Sequence, residues 1–527
     1  MCAYNRPHRR TTGRAAFGST AWNSDIAYTL SERIQNLEQL IDPGNSSLHP
    51  TRPHSGSPVS SAFSTSVQRK TPASPNDEDT KMLNPIIDSW PRAKIRDQLT
   101  NALYKSRRIM LQDAPVCTSE DNFSMPPERA KVLIEDCLEQ LKGDLFIGLV
   151  DAELMKSLPD IIDKVHVHLH ASVLLVYYLL LCQGHLIRED GYRSCGDIVS
   201  RLYLKCINLL PQWRQGATAN TTYLVGALLM SLIAAENQDF DLSWSLHRQA
   251  CQFAQLLDLH NLDRYQDPSS VDTMTFEHKR HGFWQLIQAD LNFCLYHDVP
   301  PTIFATDWTV NIPWLGFNLE LDGAGYPPVN IASFIANSRL TFIGMGFLEA
   351  IGKATVDPYF DLESCIESTC GKIRVTIQEW NLEDRFHKSS LLLDKLFLAD
   401  ALLAGLNFII IMNSKLPCFF PSSSCKHWKS AVQTARHIVE IVLEMGFPSP
   451  SDATIRRIFF LRPFLAVLTL YENLAVVTDE MRCKDILSLG RLQKVLAIGA
   501  EYRPDLVPIV EVMESLAHLV RGQGTHP

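Results

Sequence analysis

The sequence predicts an all-α protein: a large irregular multi-helix bundle, preceded by a short coiled-coil-like helix and a disordered linker. Three observations support this fold class. From about residue 83 onward, apolar residues recur at helical spacing, and Pro, Gly, Asn and Asp separate the segments. Strand-like alternation is almost absent. No repeat of about 34 or about 40 residues, as found in helical solenoids, occurs, so one bundle fits better than an array.

The composition excludes several classes of protein. The 527 residues are 46% hydrophobic, and 58 acidic against 49 basic side chains give a formal net charge of -9. Any contact with nucleic acid must therefore be local. Thirteen cysteines are scattered among apolar segments, which is typical of reduced thiols inside the cell. The longest apolar stretch, 171 to 182, is shorter than the ~20 residues of a membrane-spanning helix, so no membrane partner is expected.

The amino-terminal part divides into three regions. Residues 1–28 form a basic flexible arm without an acidic residue before Asp25. Residues 29–42 are predicted to form a short coiled-coil-like helix, and residues 43–82 a disordered linker, since half of the residues from 43 to 80 are Ser, Thr or Pro. The remainder, 83–522, is expected to form the all-helical domain.

Two sets of residues in this part are candidates for binding. Arginines of the arm could contact DNA phosphates, although solvated arginines or a nuclear-targeting signal fit as well; they are Arg6, Arg9 and Arg10. Apolar residues spaced by four, three and four form a candidate dimerisation seam; they are Leu30, Ile34, Leu37 and Ile41. Because only two heptads are present, a lone amphipathic helix remains an alternative to a dimer.

Helices are expected at the following positions within the domain. The candidates are 128–142, 160–183, 197–210, 221–235, 241–258, 275–296, 331–351, 360–381, 390–413, 427–445, 453–475 and 490–520 with a break. The Gly344-Met345-Gly346 sequence lacks a nucleotide-binding context and predicts a close contact between helices.

Motifs that would indicate an enzyme are not found. The sequence has no Gly-x-Ser-x-Gly, His-Glu-x-x-His or P-loop motif, so no catalytic residue is assigned. An all-α enzyme would need acids and histidines such as Asp163, His166, Glu236 and Asp290 to meet in one cavity. The alternating His166, His168 and His170 would share a face on a strand, but the flanking sequence favours polar positions at the start of a buried helix.

Two neighbouring stretches of the sequence have a more specific pattern. In residues 239–260, an apolar stripe runs along one predicted helix, with small residues at Ala250 and Ala254 that allow a neighbouring helix to pack closely. The second block follows about twenty residues later. It combines a charged run with two aromatic residues, an acid and later prolines, at Arg280, Phe283, Trp284, Asp290, Pro300 and Pro313.

Together the blocks resemble the fungal-specific transcription factor domain, the middle regulatory region of fungal binuclear zinc cluster regulators. The residues that match by order and spacing are Ala250, Ala254, Leu257, Leu259, His260, Arg280, Phe283, Trp284, Asp290, Pro300 and Pro313. The chain departs from the pattern at Asp258, where the family often has Gly, and at Asp298-Val299, where it often has Gly-Arg. The second departure removes a basic partner expected for an acid.

The resemblance extends to the amino terminus. In that family a zinc cluster precedes a basic linker, a short coiled coil and a polar linker, and Cys2-Ala3-Tyr4 looks like the end of such a cluster. Two zinc ions need six thiolates, whereas the next cysteine after Cys2 is Cys117. Zinc is therefore expected only if an upstream cysteine cluster exists, and no other cofactor is expected. A gene model that begins late and a truncated regulator both account for this.

The resemblance implies a nuclear transcription regulator that controls a metabolic or secondary-metabolite gene set. The implied partners are promoter DNA if the missing module is restored, a second chain in a homodimer or heterodimer, the transcription machinery and a small-molecule inducer. The alternative is an interaction protein that dimerises with a complete regulator without binding DNA. Within the domain, Phe283 and Trp284 are expected in the core, and His260 is expected to end its helix near the last carbonyls.

Overall fold

A computed structural model gives the structure of the chain. It describes residues 90–112, 125–141, 144–164, 166–187, 195–237, 239–264, 273–297, 299–304, 306–313, 326–422, 424–446, 464–476, 481–501 and 503–522. The arm, the coiled-coil-like helix and the linker expected over 1–28, 29–42 and 43–82 lie outside these residues. Cys2, the three arginines of the arm and the four residues of the dimerisation seam lie outside them as well.

The described residues form α-helices and short 3-10 helices without a strand, so the predicted all-α class is correct. In chain order, the α-helices are α1 Trp90–Gln112, α2 Pro127–Gln140, α3 Ala152–Ile161, α4 Ala171–Ile187, α5 Cys195–Gln215, α6 Thr221–Glu236, α7 Phe240–Leu256, α8 Thr273–His297, α9 Val329–Val356, α10 Leu362–Glu379, α11 Leu382–Lys388, α12 Leu392–Ser414, α13 Lys426–Gly446, α14 Phe464–Val476, α15 Arg482–Ala500 and α16 Val507–Gly522. The 3-10 helices are Ile147–Leu149, Leu259–Asn261 and Pro504–Leu506.

The helices belong to one compact unit, Asn76–Leu315 together with Val329–Pro527. In its first half, α4 packs against α2, α5 and α6, and α6 packs along α7. In its second half, α12 contacts α9, α10, α11, α13 and α14. Helix α8 contacts α7, α9 and α12 and so joins the halves, while α1 packs on α14 and α16 near the end of the chain.

The central helices are apolar on all sides because neighbours surround them. Almost every residue of α6 is buried, as are thirteen residues of α4. A helix of this kind belongs to the interior of a large helical domain. The outer helix α13 instead has one apolar face, which carries Trp428, Ala431 and Val439.

Two apolar helices, α9 and α12, are long enough to cross a bilayer by length and composition. Their most apolar windows are 61% and 78% buried within the domain, and core helices meet the same criterion. The sequence did not single out these two helices, because isolated polar residues interrupt their apolar runs. Examples are Arg339 in α9 and Asn407 in α12. Both of these side chains are buried.

The helix predicted over 160–183 is wrong at its start. Helix α3 ends at Ile161, residues 162–164 and 166–170 are non-helical, and α4 begins at Ala171. The His170 ring explains this beginning, because its Nδ1 accepts a hydrogen bond from the Ser172 N–H at 3.3 Å and lies 2.9 Å from Ser172 Oγ. The three alternating histidines thus precede the buried helix.

Glycines in α4 and α9 mark close approaches between helices. A Cβ on Gly344 would lie 2.6 Å from Leu291 of α8, which supports the predicted helix contact at this position. A Cβ on Gly346 would meet nothing within 4 Å, so the contact is made by the first of the two glycines alone. A Cβ on Gly184 would overlap the backbone carbonyl of Leu133, because α4 lies directly against α2 there.

Hydrogen bonds from polar side chains connect the last four helices, α13 to α16. Arg436 on α13 binds the buried Asp485 carboxylate of α15 with two hydrogen bonds, at 2.8 and 2.7 Å. The Trp428 indole N–H donates to Asn473 of α14 at 3.0 Å, and the Tyr471 hydroxyl donates to the Met513 carbonyl of α16 at 3.1 Å. These bonds satisfy polar groups that would otherwise be costly to bury.

Candidate functional site

The two blocks picked out in the sequence form α7, α8 and the non-helical residues that follow α8. We call residues 299–304 and 306–313 the 299–313 segment; it is not helical, and it lies against α8 and the chain that follows α7. Its apolar side chains Ile303 and Val310 are buried. The residues of the family pattern are therefore described below by their contacts with this segment.

Helix α7 begins and ends as its sequence dictates. The Asp239 carboxylate caps its start by accepting the N–H of Leu242 at 3.3 Å. The helix ends at Leu256, and Asp258 has the left-handed backbone conformation, with φ 56°. Glycine is favoured in this conformation, and Asp is among the residues that tolerate it best.

The position predicted for His260 is wrong. It does not end α7 but lies in the separate 3-10 helix Leu259–Asn261, beyond the left-handed residue. Its ring Nε2 lies 2.9 Å from Asn261 Nδ2, and its backbone carbonyl accepts the N–H of Thr309 at 2.7 Å. The contact with the 299–313 segment is thus made by the backbone of His260, while Leu259 beside it is buried.

Asp290 holds the first part of the 299–313 segment. Its Oδ2 accepts the backbone N–H groups of Thr302 at 2.7 Å and Ile303 at 3.3 Å. The carboxylate is 2% exposed, so these bonds are made away from water and fix the backbone strongly. The basic partner that the resemblance led us to expect near 298–299 is not needed, because backbone amides take its place.

Trp284 holds the last part of the segment. Its indole N–H donates to the Asn311 carbonyl at 3.0 Å, and its ring packs edge-on against Trp308 and Phe342, at 5.3 and 5.1 Å between centroids. Trp284 and Phe283 are buried, as predicted for core aromatic residues. The indole therefore both fills the core and orients the segment.

Arg280 acts through Asp263, which follows the 3-10 helix. The guanidinium of Arg280 forms a forked ion pair with the Asp263 carboxylate and also contacts Glu277. Asp263 in turn accepts the N–H of Asn311 at 2.5 Å, and its own N–H donates to Thr309 at 3.1 Å. Arg280 thus positions the carboxylate that binds the segment.

The remaining pattern residues are apolar or lie at the ends of the segment. Ala250 and Ala254 are fully buried on α7. Helix α7 lies so close to α6 that the Ser231 and Ser243 hydroxyls each donate to the other residue's carbonyl, both at 2.8 Å. Pro300 is exposed, whereas Pro313 is buried.

The structure adds two residues to this site that the sequence analysis missed. His247 of α7 places its Nε2 3.2 Å from Asp290 Oδ1 and 3.3 Å from Cys251 Sγ. All three side chains are buried, and the His247 ring stacks on Trp244 with an interplanar angle of 18°. Burial and the nearby Asp290 carboxylate raise the pKa of the Cys251 thiol well above its usual range. The spacing of His247 and Cys251, one helical turn apart, was the available signal.

A second cluster lies elsewhere on the domain, where Glu363, Glu367 and His427 come together. The Lys426 ammonium lies 2.8 Å from Glu363 and 2.5 Å from Glu367, and His427 Nε2 lies 3.0 Å from Glu363. Hydrogen bonds from Lys426 and His427 lower the pKa of Glu363 to about 2. Because Lys426 supplies the cation, this cluster is an ion-pair network. Asp163, His166 and Glu236 belong to neither cluster.

No protein-family model matches the chain, and no curated protein matches it significantly.

Proposed function

We propose that this chain is a transcription regulator of the fungal zinc cluster class and that its helical part is the regulatory domain. One observation carries the proposal. The polar residues of the pattern act together, because Arg280, Trp284 and Asp290 all help to bind the 299–313 segment to α8. This shared structural role supports the resemblance.

One of the departures from the family pattern also has a structural reason. Position 258, where the family often has glycine, has the left-handed conformation in which glycine is favoured. At Asp298-Val299, where the family often has Gly-Arg, Asp290 is bound by two backbone N–H groups and faces the His247 ring. The conformation at position 258 supports the resemblance, whereas the departure at 298–299 does not.

In this proposal the helical domain restrains or licenses transcription from the nucleus in response to a small-molecule inducer. Promoter DNA would be bound by a zinc cluster upstream of Cys2, and residues 30 to 41 would pair two chains. The target genes would serve a metabolic or secondary-metabolite pathway. The net charge of the chain, -9, is consistent with a helical domain that contacts proteins, while a separate basic module binds DNA.

Mapping the 5′ end of the transcript tests the missing module. We expect an upstream in-frame sequence with the spacing Cys-x-x-Cys-x6-Cys that continues into Cys2. A chain produced from the longer reading frame should bind promoter DNA in a mobility-shift assay. A transcript without these codons would contradict the proposal that the regulator binds promoter DNA through its own zinc cluster.

The sequence also supports a second candidate, an interaction protein that pairs with a complete regulator and dampens it. Its basis is the apolar spacing of Leu30, Ile34, Leu37 and Ile41, which predicts a surface that could pair with a second chain. If so, the chain should join a regulator–DNA complex without shifting DNA alone. Direct binding of DNA by the chain as written would contradict this candidate.

A further inference from the structure

We propose that His247, Cys251 and Asp290 bind one structural zinc ion, or a similar divalent transition metal, inside the helical domain. This site lies between α7 and α8, beneath the 299–313 segment, and is separate from any zinc cluster near Cys2. It runs against the expectation of no metal within this chain. It does not depend on the proposed function, because the ion would hold the fold together whatever the domain regulates.

The distances between the three side chains suit a tetrahedral metal. The candidate ligand atoms Nε2, Sγ and Oδ1 all lie within 4.8 Å of one another. Metal bonds of about 2.0 Å to nitrogen and oxygen and about 2.3 Å to sulfur separate tetrahedral ligands by about 3.3 Å for N and O and about 3.5 Å for N and S. His247 Nε2 lies 3.2 Å from Asp290 Oδ1 and 3.3 Å from Cys251 Sγ, so little movement is needed.

The hydrogen bonds at His247 are incomplete without an ion. Nε2 faces both Asp290 and Cys251, yet a single hydrogen on this nitrogen serves only one of them well. A metal ion among the three atoms would be bonded by all of them.

The charges are compatible with a divalent ion. The ion would displace the proton of the Cys251 thiol, and the resulting thiolate and the Asp290 carboxylate would then balance its two positive charges. The mixed N, S and O ligands suit zinc, whereas calcium and magnesium require oxygen ligands. His247, Cys251 and Asp290 would supply three of the four ligands of a tetrahedral site, and a water molecule would take the fourth position.

Binding would link three parts of the domain. His247 and Cys251 lie one turn apart on α7, Asp290 lies on α8, and Asp290 already holds the backbone of Thr302 and Ile303. A metal would therefore connect α7, α8 and the 299–313 segment at a single point. Because its ligands are buried, the ion would be taken up while the chain folds.

The test is to produce the full chain in cells grown with cobalt in place of zinc, and to measure metal content and absorption. We expect one cobalt ion per chain and a thiolate-to-cobalt charge-transfer band in the near ultraviolet. Cys251→Ala should lose the band and most of the metal. Cys137→Ala, which removes a buried thiol on α2 that is not among the three candidate ligands, should retain both.

Three results would overturn the inference. They are a wild-type chain without bound cobalt or zinc, bound cobalt without the thiolate band, or the same band in Cys251→Ala. His247→Gln provides a second variant should the alanine variant fold poorly, and it should lose the metal as well. Zinc should raise the melting temperature of the wild-type chain refolded with it, and should leave that of Cys251→Ala unchanged.

Discussion

Trp284 has two structural roles in the site, because it fills the core and also binds the 299–313 segment. Trp284→Ala should lower the free energy of unfolding by about 3 to 5 kcal/mol, since it leaves a cavity where the indole packed on Trp308 and Phe342. Denaturant unfolding followed by circular dichroism measures this change.

A second variant separates packing from hydrogen bonding at this position. Trp284→Phe keeps an aromatic ring but loses the N–H that donates to Asn311, so it should cost less than the alanine variant. If both variants unfold like the wild-type chain, Trp284 does not hold the core as described.

Asp144 should make stability depend on pH. Burial raises the pKa of its carboxyl to about 6, although a hydrogen bond from Gln285 at 2.7 Å acts in the opposite direction. The folded chain then holds this proton more tightly than the unfolded chain, in which the pKa is about 4. Stability from this group is present below about pH 4 and is lost as the pH rises to about 6.

Asp144→Asn replaces the ionisable carboxyl with a neutral amide and so removes the pH dependence of stability that this carboxyl causes. The variant should be more stable than the wild-type chain at neutral pH, by on the order of 1 to 3 kcal/mol, and the advantage should vanish below about pH 4. Unfolding curves recorded across this range measure the difference. A wild-type chain and variant whose stability curves run parallel would show that Asp144 is not the cause.

Single residues differ in how well the sequence predicts their roles. The burial of Trp284 and Ala250 follows from residue type and helical spacing, which are visible in the sequence. The contact of His247 with Asp290 joins residues 43 positions apart, and nothing in the local pattern signals it. The same holds for Asp263, which the sequence analysis did not single out although it binds Arg280 and Asn311.

At the scale of elements, the close approach of α4 to α2 gives a sharp prediction. Gly184→Ala should destabilise the domain by about 3 kcal/mol or more. The new Cβ would overlap the backbone carbonyl of Leu133, and relieving this clash would require a shift of the helix backbone. Thermal unfolding of the two proteins measures the effect.

Gly346→Ala in α9 is the matched control. A Cβ there meets nothing within 4 Å, so the change should stabilise the helix by about 0.5 to 1 kcal/mol. Equal effects of the two substitutions would mean that α4 and α2 do not pack as closely as described.

Most helices were easier to predict than their ends, although no helix was predicted at α1, Trp90–Gln112. The apolar periodicity located α6, predicted at 221–235 and found at Thr221–Glu236, because Asn220 caps its start and its interior is uniformly apolar. The end of α7 was misplaced because Asp258 can continue a helix or take a left-handed turn, and tertiary contacts decide between them. The start of α4 was misplaced because the histidines before it have no strong local preference.

At the scale of the whole molecule, the sequence predicts the class of fold but not the arrangement of its helices. The apolar sequence of α12 predicts that this helix is buried, yet it does not show which six helices contact it. The packing of α1 against α14 and α16 brings together residues more than 350 positions apart in the sequence. Such contacts depend on the shapes of whole faces, which a single sequence does not display.

The central claim is that the helical domain regulates transcription. The most direct test fuses the full chain to a heterologous DNA-binding domain and measures a reporter gene in a fungal host. The account predicts that the fusion changes reporter transcription, that Gly346→Ala retains the effect and that Trp284→Ala, which damages the domain core, reduces it. A folded, nuclear fusion that leaves the reporter at the level of the DNA-binding domain alone would contradict the account.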